Sequence, residues 1–232
     1  MKILFIDTTH PTLPQLLENS GFECVHFPLS KIEDYEPLIH EYEGIIIRSK
    51  FYIDNEFLKK ATKLKFIGRV GSGMENIDIE AARQRGIQCI NSPEGNRDAV
   101  GEQAIGMLLA LFNNLIRANN EVKSGKWLRE ENRGYELRGK TVGIIGFGNM
   151  GSSLAEKLLG FGCKILAFDK YKSNYAPFYV TETSLKTIQN ESDIISFHVP
   201  LTKETHYMVN TNFLNACKKG VYIINTSRGK VV

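Results

Sequence analysis

The stretch from Thr141 to Asp169 holds the residue types and the spacing that would bind a dinucleotide. An apolar run, Thr141-Val142-Gly143-Ile144-Ile145, reads as a buried strand and passes directly into Gly146-Phe147-Gly148-Asn149-Met150-Gly151. In such a unit Gly146 permits a tight turn, Gly148 admits a pyrophosphate close to the backbone, and Gly151 lets the next helix pack closely on the strand. The amides of Phe147 to Met150 would face the phosphates, aided by the unpaired N–H groups of a helix start. Leu154, Leu158 and Phe161, with Ala155 and Leu159 beside them, give that helix its apolar face, and Gly162 stops it. A second apolar run, Lys164 to Phe168, then ends at Asp169. Its carboxylate would accept both ribose hydroxyls of an adenosine and repel a 2′-phosphate, which favours NAD over NADP. A glycine-rich turn alone also serves packing in many folds. Here strand, helix and acid stand together at the right distances. Lys170 and Lys172, just past Asp169, would tolerate a phosphate or are plain solvated loop charges.

Other residues suited to anions stand where strands should end. Arg228 follows the apolar run Val221-Tyr222-Ile223-Ile224, so a permanently charged, two-pronged guanidinium would face a ligand cleft and suit a carboxylate. The alternative is a surface arginine in the turn before Gly229. Gly71, Ser72 and Gly73 form a turn whose N–H groups would converge on an anion, although spacing alone fits a plain turn equally well. Arg48, Ser49 and Arg69 would add cationic and hydroxyl donors for a phosphate, against the alternative of structural ion pairing. His198 at a strand end is a candidate base by residue type. Cys24, Cys89, Cys163 and Cys217 are far apart, with no Cys-x-x-Cys pair and no histidine at ligand spacing. They read as free buried thiols, which excludes a disulfide framework, and no metal site is expected.

The elements that must position these groups alternate between strand-like and helix-like from the first residue, which implies α/β architecture with parallel sheets. We expect two Rossmann-like or flavodoxin-like domains, 1–98 for substrate and 99–232 for cofactor, with a cleft between them. In the first, strands are expected at Lys2 to Ile6, Glu23 to His26, Gly44 to Arg48, Lys65 to Arg69 and Gln88 to Asn91, and helices near Leu13 to Asn19, Asn55 to Thr62 and Ile79 to Gln84. Ala99 to Asn120 reads as one long helix carrying apolar Ile105, Leu108, Leu109, Phe112 and Ile116. Trp127 either marks a contact surface or folds back on its own domain. Further strands of the second domain are expected at Phe178 to Val180, Asp193 to Val199 and Val221 to Asn225.

Bulk properties narrow the function. Net charge is +3 from 29 basic and 26 acidic residues among 232. These charges are interspersed, so neither a nucleic-acid stripe nor a polybasic membrane patch is present, and a small anionic substrate fits. The apolar run Ile3 to Ile6 is too short for a secretory signal, and no run approaches a membrane span, so a cytoplasmic location is expected.

The chain resembles the D-isomer-specific 2-hydroxyacid dehydrogenases, the D-3-phosphoglycerate dehydrogenases among them. The resemblance rests on Gly68 to Asp78, Asn91-Ser92-Pro93, Gly139 to Gly151, His198 to Thr205, and Asn225 to Gly229. It implies hydride transfer between NAD and C2 of a small anionic 2-hydroxy or 2-keto acid, with 3-phosphoglycerate and serine biosynthesis the foremost expectation. Arg228 would bind the substrate's carboxylate and keto oxygen, and the loop of Gly71, Ser72 and Gly73 its carboxylate. Arg48, Ser49 and Arg69 would lie near its phosphate. His198, Val199 and Pro200 would line the adenosine and ribose, which makes His198 a cofactor-lining residue and not the acid. Thr205 would approach the phosphates, Thr226 and Arg228 would flank the nicotinamide, and Ser227 would be among the cofactor-binding residues. A homodimer or larger assembly is implied, through the region from Ala99 to Trp127.

In the family, a glutamate and an acid histidine follow the arginine. None of His10, His26, His40, His198 or His206 lies in the matching segment. The sequence is therefore expected to be a C-terminally truncated dehydrogenase, lacking the last strands of the cofactor domain and the return segment of the first, with little or no turnover. The alternative of another class is a non-catalytic NAD-binding regulator.

Overall fold

The computed structural model describes residues 1–27 and 31–232. The chain divides into two compact units, Met1–Asn96 and Arg97–Val232.

The first unit runs β1 (Lys2–Phe5), α1 (Thr12–Asn19), β2 (Glu23–His26), α2 (Ile32–Tyr35), β3 (Gly44–Ile47), α3 (Asn55–Lys60), β4 (Phe66–Arg69), α4 (Ile79–Gln84) and β5 (Gln88–Asn91). All five strands are parallel, in the order β2-β1-β3-β4-β5. That is the flavodoxin-like order. Its inner strands are apolar on both faces because helices cover both. Leu4, Ile45, Ile47 and Ile67 pack with Phe57, Leu58 and Ala82 on one side. Ile3, Phe5 and Ile46 pack with Leu13 and Leu17 on the other. Sequence fixes two helix starts: Asp54 accepts the Phe57 N–H at 2.8 Å and Asp78 the Ala81 N–H at 3.0 Å. Each such cap contributes about 1 kcal/mol.

The second unit runs α5 (Arg97–Phe112), α6 (Leu115–Lys123), β6 (Thr141–Ile145), α7 (Asn149–Leu158), β7 (Lys164–Phe168), β8 (Thr181–Glu182), α8 (Leu185–Glu191), β9 (Ile194–Phe197), α9 (Thr211–Asn215) and β10 (Tyr222–Asn225). Its parallel sheet has the order β10-β9-β6-β7-β8. Counted from β6, this is the Rossmann order, with the topological switch between β6 and β9. α5 lies close against α7, where a Cβ on Gly101 would come within 2.6 Å of Ser153 Oγ. Asp98 clamps the contact by accepting from Ser153 Oγ at 3.1 Å and Lys157 Nζ at 3.0 Å.

Four expectations are corrected. The long helix of Ala99 to Asn120 is two helices bent by 57°, broken where Asn114 adopts a left-handed φ of 52°. Leu108 and Phe112 are buried before the break, whereas Ile116 beyond it is 72% exposed. The strand expected at Phe178 to Val180 is a turn, with Val180 N–H donating to Pro177 O at 2.9 Å, and pairing begins only at Thr181. The strand of Asp193 to Val199 shortens to Ile194–Phe197, because the Val199 N–H leaves the ladder for Ser227 Oγ at 3.0 Å. The four cysteines are free but only half-buried. Trp127 is 79% exposed, which resolves its two readings in favour of exposure. Among the described residues no single helix is long and apolar enough to cross a membrane.

Candidate functional site

In the second unit the glycine-rich turn meets the demands made of each glycine. Gly146 has φ +90°, and a Cβ there would lie 2.5 Å from His198 O, so the end of β6 is pressed against the end of β9. A Cβ on Gly151 would lie 2.1 Å from Gly146 O, which only glycine avoids. Gly148 is different. No atom lies within 4 Å of where its Cβ would stand, so this face is open for a ligand to approach.

Gly148 is also the residue that precedes α7, and it has no side chain to cap the helix. Ser152 N–H is the first to find a backbone acceptor, at 3.0 Å on Gly148 O. The N–H groups of Asn149, Met150 and Gly151 have none among the described residues. Three orphan donors at the positive end of a helix form an anion site suited to a pyrophosphate. Phe147 departs from expectation, because its N–H is not among them. It donates to Asp169 Oδ2 at 2.9 Å, and its ring is buried against Tyr175 at 5.2 Å.

Asp169 stands at the tip of β7, and its other oxygen, Oδ1, accepts the Tyr171 N–H at 3.0 Å. Two backbone donors thus fix the carboxylate while each oxygen keeps a lone pair for a ribose hydroxyl. Lys172 Nζ reaches Phe147 O at 3.0 Å, stitching the segment after β7 to the glycine-rich turn.

The ends of β9 and β10 are joined through side chains. Ser227 Oγ donates to Phe197 O at 2.8 Å and accepts from Val199 N–H. Asn225 Oδ1 accepts from Ser227 N–H at 3.0 Å, and its amide donates to Arg228 O at 2.9 Å. Arg228 Nη1 donates to Ser227 O at 2.8 Å, and the side chain is half-buried. The His198 ring bridges Ser196 Oγ at 2.8 Å and Thr226 Oγ1 at 3.2 Å. Burial pushes its pKa down to about 4, so the ring is neutral near pH 7 and unsuited to act as an acid. Pro200 is exposed. The Thr205 hydroxyl donates to Pro200 O at 2.6 Å and accepts from Thr202 N–H at 2.8 Å, so it shapes its own turn.

In the first unit the sequence-selected residues gather at the carboxyl ends of β3 and β4. Asp7, which sequence reasoning missed, receives the N–H groups of Arg48, Ser49 and Lys50 on Oδ2 at 2.6, 3.0 and 3.2 Å. The Arg48 and Ser49 side chains are exposed above that fixed turn. The Arg69 guanidinium occupies the place of a Cβ on Gly71, with Nη1 1.6 Å from that position, and Gly71 itself has φ +137°. In the next turn the carbonyls are taken, Gly71 O by Ser92 N–H at 3.0 Å and Ser72 O by Asn91 Nδ2 at 2.6 Å. The N–H groups of Gly71, Ser72 and Gly73 have no acceptor among the described residues, so this turn keeps amide donors of the kind an anion would need. Asn91 was part of a recognised motif but had no assigned role. Its partner is 19 residues away, beyond what local reading detects.

Residues 105–232 match the family model described as D-isomer specific 2-hydroxyacid dehydrogenase, NAD binding domain. The chain belongs to this family. The D-isomer specific 2-hydroxyacid dehydrogenases most similar in sequence include a hydroxypyruvate reductase of Thermotoga maritima, 38% identical over 94% of this chain and 70% of its own length. A D-3-phosphoglycerate dehydrogenase of Archaeoglobus fulgidus is 40% identical over the whole chain. This chain spans only 44% of that relative. Among solved structures, the NAD-dependent formate dehydrogenase of Staphylococcus aureus in complex with NAD superimposes with a TM-score of 0.83 at 28% identity, covering all of this chain and 75% of its own. The second unit is the NAD-binding domain of a 2-hydroxyacid dehydrogenase, and the orphan amides of α7, the open face of Gly148 and the fixed Asp169 carboxylate fit that cofactor.

Proposed function

We propose that this chain serves the NAD-linked interconversion of a D-2-hydroxyacid and its 2-keto acid, with 3-phosphoglycerate the substrate. The observation that carries the substrate class is the Gly71 to Gly73 turn, whose three amides lack acceptors while two of its carbonyls are tied down. Such a turn suits a carboxylate. Arg48, exposed on the fixed 48–50 turn after β3, and Arg69 after β4 give the first unit cationic donors for a phosphate. Names among the relatives support the same choice, since several are D-3-phosphoglycerate dehydrogenases at 34–40% identity.

Bound NAD supplies the hydride acceptor. The protein's own part is positional and electrostatic: Arg228, by resemblance, binds the carboxylate and stabilises charge on the oxygen at C2. Reduction of the keto acid also needs a proton donor near neutral pH. None of the described histidines is paired with a carboxylate, and His198 is held neutral. These residues alone therefore bind cofactor and substrate but turn over little. The exposed apolar side chains of Leu115, Ile116, Val122 and Trp127 support a homodimer through this face, and the ordinary charge balance fits a cytoplasmic location.

Calorimetric titration of NAD, followed by 3-phosphoglycerate, D-glycerate and D-lactate into the NAD complex, tests the reading. Phosphoglycerate should bind at least tenfold more tightly than glycerate, about 1.4 kcal/mol, and Arg48→Ala should erase the difference. Equal binding of the two acids sinks the phosphoglycerate assignment. Sedimentation of the wild type beside Ile116→Glu tests the dimer, which should dissociate in the variant.

A further inference from the structure

Asp169 is followed by two lysines, and a 2′-phosphate on the adenosine ribose would ordinarily welcome cations beside it. Both are occupied. Lys172 Nζ is on Phe147 O at 3.0 Å, and Lys170 Nζ is 2.6 Å from Glu204 Oε2. The same glutamate oxygen accepts the Tyr171 hydroxyl at 2.8 Å. Glu204 lies 34 residues along the chain from Lys170, on the turn that Thr202 and Thr205 hold closed. One carboxylate therefore gathers the two exposed donors that flank the ribose-binding acid.

This arrangement is hard to explain as a stabilising feature. Lys170 and Glu204 are 57% and 55% exposed, and ion pairs in such positions contribute little to stability. Its effect falls on the ligand side. Tyr171 is anchored at its N–H by Asp169 and at its hydroxyl by Glu204, so the segment after β7 is held in one position beside the ribose. The hydrogen bond from Lys170 keeps the Glu204 carboxyl below its ordinary range and raises the lysine, so both charges persist and cancel.

We propose that Glu204 is a second determinant of cofactor choice: it holds Lys170 and Tyr171 away from the ribose 2′ position and cancels the lysine's charge, so that the Asp169 carboxylate is left unopposed and excludes a 2′-phosphate. The inference rests on the second unit being an NAD-binding domain with Asp169 at the ribose. It adds that removing Asp169 alone leaves the lysine sequestered.

The test is calorimetric titration of NAD and NADP into the wild type, Asp169→Ala, Glu204→Gln, the double variant, and Glu204→Gln with Lys170→Ala. Glu204→Gln should raise NADP affinity relative to NAD about threefold to tenfold. The double variant should gain more than the product of the two single changes, the signature of coupled groups. Adding Lys170→Ala should remove the gain. A product of independent effects, or no gain in Glu204→Gln, shows an ordinary surface ion pair and overturns the proposal. A gain that survives loss of Lys170 overturns the sequestration argument. A wild type that binds no NAD overturns the parent reading and this one with it, and is told apart by that first titration.

Discussion

The backbone nitrogen of Phe147 sits 2.9 Å from Oδ2 of Asp169, so the acid at the tip of β7 and the glycine-rich turn after β6 form one hydrogen-bonded structure. The carboxylate expected at the ribose also sets the turn expected at the pyrophosphate. Asp169→Ala should accordingly weaken NAD binding about 100-fold, since ribose contacts and turn geometry are lost together. Titration calorimetry, with circular dichroism to show a retained fold, measures this. Unchanged affinity would remove Asp169 from the site.

The glycines of the turn separate folding from binding. Gly151→Ala places a Cβ 2.1 Å from Gly146 O and should destabilise the unit by about 2–4 kcal/mol in denaturant unfolding. Gly148→Ala meets open space and a negative φ of −92°, so the fold should hold. Its methyl would fill the face offered to the pyrophosphate, and NAD affinity should fall at least tenfold. Equal unfolding midpoints for the two variants would contradict this division.

His198 makes stability depend on pH. Burial lowers its pKa to about 4. In the unfolded chain a histidine titrates near 6.5, so between these values the unfolded state binds the extra proton. The contribution is complete above about pH 6.5 and is lost as pH falls towards 4, at most about 3 kcal/mol. His198→Gln should lose less stability than the wild type between pH 7 and pH 4.5, measured by urea unfolding. Parallel losses would assign the acid sensitivity to carboxylates.

Asn114 breaks the run between α5 and α6 with a left-handed backbone that asparagine adopts at little cost. Asn114→Gly should leave thermal stability almost unchanged, whereas Asn114→Val should lower it by about 1–2 kcal/mol, the cost of a left-handed residue with a Cβ branch. Equal melting temperatures would show that the break moves freely.

Much of this was legible locally, and the reason differs from element to element. The unit from Thr141 to Asp169 could be read because strand, glycines, helix and acid are contiguous, and their geometric duties follow from their spacing. The break at Asn114 could not, because apolar residues continue on both sides and asparagine adopts the left-handed region at little cost. Phe178 to Val180 looks like a strand by residue type, yet Phe178 is 99% exposed and the run turns on Pro177. Asp7 escaped notice, and Asn91 and Glu204, though inside recognised motifs, had no assigned role, because each acts on partners 19 to 43 residues away. For Phe147 the amide was expected to face the phosphates, but its acceptor is Asp169, itself expected at the ribose. Two groups each expected to face the ligand are instead hydrogen-bonded to each other.

Asp7 has a wider consequence. In an open parallel sheet the crevice at the strand-order reversal is where a ligand is expected, and in the first unit that reversal lies between β1 and β3. Asp7 ends β1 and takes the three amides that follow β3. The first sheet thus carries a tethered anion of its own in the position where a free one would dock, and it competes with solutes at an effective concentration no metabolite reaches. One aspartate thus ties down the amides after β3 in the first sheet, whereas in the second sheet the N–H groups of Asn149, Met150 and Gly151 keep no acceptor among the described residues.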